Sequence, residues 1–85
     1  MRYKYLIDEK LNSIPKKEYD IHITRLVKKL RISRSTFHDW RNLRIEDKRD
    51  MPVRALVIIA EHLQCRMEEL INYTAEEIIA VSKDY

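Results

Sequence analysis

Arg34, Ser35, His38, Asp39 and Asn42 fall close together in one short stretch of this sequence, interleaved with Phe37 and Trp40. At about 100° per residue, the five polar residues occupy an arc of about 140° on a helical wheel, with both aromatic residues on the other side. The chemistry offered by such a row is directional hydrogen bonding. A guanidinium donates through a planar fork, an amide both donates and accepts, and a carboxylate accepts. The major groove of DNA admits an α-helix and displays matching patterns. Arg34 can fork onto guanine O6 and N7, and Asn42 can pair with adenine N6 and N7. Asp39 can accept from cytosine N4 or repel phosphate. A solvent-facing helix also presents a polar face, so the row alone leaves both readings open.

An element must hold this row rigid. A helix over 34–43 is too short to persist without tertiary packing, which Phe37 and Trp40 provide together with Val27, Leu30 and Ile32 from the preceding segment. Ser33 is suited to cap it. The preceding helix is predicted over 21–30, with Ile23, Leu26, Val27 and Leu30 on one face and Asp20 as its N-cap. Lys28 and Lys29 complement the dipole at its end. Arg31, Ile32 and Ser33 then form the turn. Upstream, Tyr3, Leu6, Ile7, Leu11 and Ile14 recur at helical intervals over 2–13, and Pro15 ends the pattern.

Downstream, 44–50 reads as a charged loop. A helix over 52–64 is expected to be capped by Asp50, with Pro52 in its first turn and Val53, Leu56, Val57, Ala60 and Leu63 as its buried stripe. A further helix over 66–72 brings in Met67, Leu70 and Ile71. Thr74 and Glu77 have capping-box spacing, which predicts a last helix over 75–83. The fold class is therefore all-α, with five to six short helices. The absence of glycine, against roughly six in an average chain of this length, means that any left-handed turn is carried by a residue with a Cβ.

The 85 residues make one small domain, burying about 60–65% of its unfolded surface. Its single cysteine, Cys65, cannot form an intramolecular disulfide, which suits a reducing compartment. His22, His38 and His62 are too widely spaced to form a ligand pair along one helix, and neither a metal nor a cofactor is expected. No signal-peptide core or membrane-length apolar run is present, so a cytoplasmic protein without a membrane partner is expected. No nucleophile–base spacing, carboxylate pair or glycine-rich phosphate loop suggests an enzyme. Residues 1–49 hold 14 Lys and Arg against 7 Asp and Glu (+7), whereas 50–85 hold 3 against 7 (−4). Such asymmetry suits an oriented face for a polyanion.

Two stretches carry a family resemblance. "ITRLVKKLRISRSTFHDWRN" (23–42) resembles the helix-turn-helix of the Cro and phage-repressor class, often called the xenobiotic-response-element family. "MPVRALVIIAEHLQCRMEEL" (51–70) is similar to the fourth and fifth helices of that family. The resemblance implies a lambda-repressor-like fold, with 1–73 as the DNA-binding domain and 74–85 as a C-terminal helical extension. It places Ser33, Arg34, Ser35, His38, Asp39 and Asn42 at base-facing or backbone-facing positions and Thr24 at a phosphate. Ile23 stands where the family usually has glutamine, Val27 where it has a small residue, and Arg31 where it has the turn glycine. The loop 43–50 is about four residues longer than usual in such folds; Arg44, Lys48 and Arg49 within it can reach the DNA backbone, the other reading being a disordered charged loop.

The function implied is a sequence-specific, repressor-like regulator that binds double-stranded DNA as a homodimer. On the predicted wheel of 52–64, Ile58 faces away from the buried stripe. It is a candidate interface residue together with Ile78 and Ile79 in the last segment. The competing reading is an antitoxin or adaptor on the same helical scaffold, using its acidic C-terminal half to bind a protein partner.

Overall fold

A computed structural model of the chain describes residues 2–82. Five α-helices follow one another: α1 (Ile7–Leu11), α2 (Lys16–Leu30), α3 (Arg34–Arg41), α4 (Val53–Leu63) and α5 (Ala75–Ser82), with a 3₁₀ turn at Met67–Glu69 between the last two. The all-α class stands. Helix α2 packs against both α3 and α4. Leu26 of α2, Phe37 of α3 and Ile59 of α4 are fully buried in one core, with Ile7, Leu11 and Leu70.

The N-terminal segment departs from the helix expected over 2–13. Only Ile7–Leu11 is helical, and residues 2–6 form a non-helical strap between two other stretches. On one edge Lys4 N–H donates to Leu43 O (2.7 Å) and Ile45 N–H to Arg2 O (3.2 Å). On the other, Leu6 N–H donates to Leu70 O (2.7 Å) and Asn72 N–H to Lys4 O (3.1 Å). Its bridge partners, Arg44 and Ile71, are isolated single residues. The alternation Arg2-Tyr3-Lys4-Tyr5 is only four residues long and its partner stretches show no matching pattern, so the helical spacing of the apolar residues dominates the sequence reading.

Helix α2 starts at Lys16, five residues ahead of the expected start at Ile21. Pro15 supplies the N-cap and Asp20 lies inside the helix. Proline cannot donate an N–H, but a helix start has N–H groups without intrahelical partners in any case. The helix ends at Arg31, left-handed at φ 57°, ψ 46°. This is the position where the resemblance placed a glycine. Gln64 ends α4 in the same way at φ 55°, so both positive-φ residues among those described carry a Cβ.

Further expectations are corrected. Pro52 rather than Asp50 is the N-cap of α4; the Asp50 carboxylate instead accepts from Tyr5 Oη and Met51 N–H. The buried stripe of α4 is Ala55, Leu56, Ile59 and Ala60, while Val53 and Val57 are 68% and 49% exposed. Ile58 consequently does not face outward: it is half-buried and packs against the core. The helix is apolar on most sides, so two neighbouring stripes fit helical spacing equally well, and packing selects one. Finally, 66–72 contains only the 3₁₀ turn, and α3 stops at Arg41. The capping box of α5 forms as expected, with Glu77 N–H donating to Thr74 Oγ1 (3.2 Å) and Thr74 N–H to Glu77 Oε1 (3.0 Å). Lys83, the expected last residue of that helix, lies outside the described residues.

Candidate nucleic-acid interface

Helix α3 is fixed at both ends and along one side. Ser33 Oγ accepts from Thr36 N–H at 3.1 Å and so caps it. Phe37 is completely buried against α2, and Trp40 is half-buried beside it. Arg41, which is not among the expected site residues, completes the attachment. Its guanidinium lies 5.0 Å from the Phe37 ring centroid and donates to Tyr19 Oη (2.9 Å) and Asp8 Oδ1 (3.2 Å). It thereby joins α3 to α2 and α1. Helical spacing put Arg41 next to the polar row, but only the fold shows it turned inward.

The opposite face is open. Arg34, Ser35, His38 and Asp39 are all exposed. Arg34 rests on α2, with Nη1 3.2 Å from Asp20 Oδ1 and Nη2 donating to Thr24 Oγ1. Its remaining N–H groups are available to a ligand. An exposed ion pair of this kind is worth only about 0–1 kcal/mol, so a stronger acceptor can draw the guanidinium away. Thr24 is therefore next to the row rather than distant from it. Asn42 is the C-cap of α3, and its Nδ2 donates to His38 O at 2.8 Å and sits 3.3 Å from His38 Nε2. That amide is used locally in the unbound protein. Ser33 is likewise engaged through its hydroxyl, while its position at the start of α3 remains exposed.

The loop after α3 has a defined shape. Arg44 stacks over the Tyr3 ring at 4.2 Å, and its N–H donates to Asp47 Oδ2 at 2.8 Å. Lys48 and Arg49 are exposed. Burial, and then the adjacent Asp50 carboxylate, push the Tyr5 phenol far above its ordinary range, so it stays a donor to Asp50.

A second polar cluster lies between α2 and α4. His22 Nδ1 and His62 Nε2 are 2.9 Å apart, and Lys29 Nζ is 2.9 Å from His62 Nδ1. Spacing along the chain hid this meeting, because the two rings come from different helices. The lysine can only donate, so His62 Nδ1 accepts. The neutral ring then carries its proton on Nε2 and donates it in a hydrogen bond to His22 Nδ1. A metal held through His62 Nε2 would require a proton on Nδ1, opposite the lysine. No group of three or more His, Cys, Asp or Glu that could hold a metal ion occurs among the described residues.

Of the expected interface residues, Ile79 is 57% exposed on α5, Ile78 is half-buried, and Ile58 belongs to the core side of α4. No helix among the described residues is long and apolar enough to cross a membrane. Comparisons with curated proteins and with solved structures give no match. The profile of the Cro/C1-type HTH DNA-binding domain matches residues 16–76. That span runs from the first residue of α2 into the first turn of α5, and so contains the capped α3, its buried aromatic anchor and its open polar face. The chain belongs to the Cro/C1-type HTH DNA-binding domain family.

Proposed function

We propose that this protein is a sequence-specific, repressor-like transcriptional regulator that inserts α3 into the major groove of duplex DNA as a homodimer. The observation that carries this reading is the two-sided character of α3: Phe37 is fully buried behind it, and Arg34, Ser35, His38 and Asp39 are exposed in front. Arg34 at the N-terminal end of the helix is the guanine reader. Ser35, His38 and Asp39 contact neighbouring base edges. Asn42 joins them once its amide leaves the His38 carbonyl. Ser33 and Thr24 meet the backbone on one side of the helix, and Arg44, Lys48 and Arg49 meet it on the other.

The homodimer is assigned to α5, where Ile79 is exposed and Ile78 half-exposed. A two-fold dimer places its recognition helices about 34 Å apart and requires a palindromic site. The second reading, an antitoxin-type or adaptor-type module, draws on the exposed Val53 and Val57 of α4. Selection from a random duplex library tests both. Enrichment of one palindromic sequence, bound more tightly than random duplex, supports the regulator. Failure to enrich any sequence overturns specific readout by α3.

A further inference from the structure

Among the described residues the only charged side chain in the core is Lys4, which is 2% exposed. It comes from the N-terminal strap, not from a helix. Its Nζ donates to two backbone carbonyls of the loop, Asp47 O at 3.0 Å and Arg49 O at 2.9 Å, and lies 3.9 Å from Asp50 Oδ2. The neighbouring Tyr5 donates from Oη to the other oxygen of the same carboxylate. Main-chain bonds from Lys4 N–H to Leu43 O and from Ile45 N–H to Arg2 O join the strap to the start of the loop. The loop is thus held at its start, middle and end by one short segment.

Stability alone is a poor account of this arrangement. A buried cation loses its hydration, and a well-packed apolar side chain in its place is often neutral or stabilising. What the ammonium does supply is geometry. Two carbonyls that point into the protein are satisfied at once, and the chain between them is forced into one shape. Lys48 and Arg49 project from that chain and are exposed. A loop fixed in advance is not ordered at the expense of binding.

We propose that Lys4, assisted by Tyr5, is the positioning residue that sets the 44–50 loop so that Lys48 and Arg49 meet the DNA backbone. It rests on the reading that the protein binds duplex DNA with α3 and this loop together. Lys4 itself touches no DNA; it acts through the loop carbonyls.

The test uses the full chain and a duplex of random sequence, with affinity measured over a range of salt concentrations. Wild type is compared with Lys4→Met, with the double variant Lys48→Ala/Arg49→Ala, and with all three changes combined. Lys4→Met should lower affinity to within about twofold of the loop double variant. Both should reduce the salt slope by up to about 1.8, at about 0.9 per lost phosphate contact. The triple variant should lose nothing further. A folded Lys4→Met protein that binds like wild type overturns the proposal. So does a triple variant whose loss is the product of the other two, or a loop double variant that binds like wild type.

Hydrogen exchange at the Ile45 and Asp47 amides provides a readout that needs no DNA. These amides donate to Arg2 O and Arg44 O, and both should exchange faster in Lys4→Met, whereas unchanged exchange counts against the proposal. If exchange rises but wild type fails to bind any duplex, the DNA reading has failed and the clamp has not. Should Lys4→Met not fold, Tyr5→Phe removes one tether and keeps the ring packed. It should give a smaller affinity loss, equal on selected and random duplex, and wild-type affinity from it counts against the proposal.

Discussion

Arg34 and Arg41 are chemically identical and seven positions apart, yet their surroundings give them opposite tasks. Arg41 is largely buried and bound to Asp8 and Tyr19, whereas Arg34 is exposed and bound only to surface groups of α2. Arg34→Ala should therefore weaken binding to the selected site by about 1–3 kcal/mol and relax preference at one base pair. Its melting temperature should hardly change. Anisotropy titrations on base-substituted duplexes check this, and an equal loss on random DNA would remove Arg34 from base readout. Arg31 permits a prediction independent of DNA. Its φ of 57° strains a residue with a Cβ, so Arg31→Gly should stabilise the fold. The gain should be roughly 0.5–1 kcal/mol once the greater freedom of glycine in the unfolded chain is offset. Denaturant titration measures it, and a loss of stability would show that Arg31 makes a compensating contact. The Arg31 turn was legible from the resemblance alone. The inward turn of Arg41 was not, because its partners lie on α1 and α2.

Among the elements, α4 lies within one residue of its expected bounds at each end but is rotated from its expected orientation. Its sequence, VRALVIIAEHL, is so widely apolar that periodicity does not distinguish the face that packs on α2 from its neighbour. The consequence is testable. Ile58 packs against the core, so Ile58→Glu should destabilise the fold by about 1–3 kcal/mol, in proportion to how far the carboxylate is dehydrated. It should not yield a stable, well-folded monomer. Ile79→Glu, on the exposed side of α5, should instead preserve helix content and convert a dimer to a monomer. Sedimentation equilibrium with circular dichroism on both variants separates the cases. A folded Ile58→Glu monomer beside a dimeric Ile79→Glu would move the interface to α4.

At the scale of the whole molecule, the His22–His62–Lys29 cluster ties α2 to α4 and makes stability depend on pH. The His62 pKa is lowered from 6.5, first by burial and then by Lys29 and His22; Arg25 adds to the lowering and Glu61 opposes it. Between the folded and unfolded values the unfolded chain binds more protons. The stabilisation is thus fully present above the unfolded value and is lost as pH falls through the folded one. Melting temperature should drop on acidification from about pH 7.5 to about 5.5, and His62→Gln should flatten that part of the profile. An unchanged slope in His62→Gln would show that other groups control it.

The helical class, the α2–turn–α3 motif, the cap at Ser33 and the polar row of α3 are legible from local sequence, and the turn at Arg31 through the family resemblance. Each of these depends on residues within a few positions of one another, where spacing and local geometry leave few alternatives. The remaining features arise from long-range packing. It converted residues 2–6 from an apparent helix into a strap, because their hydrogen-bond partners at 43–45 and 70–72 lie far along the chain. It also buried Lys4 beneath the loop, rotated α4, and brought two histidines 40 positions apart into contact. Those outcomes depend on which backbone groups and side-chain surfaces meet, and neither spacing nor composition carries that information.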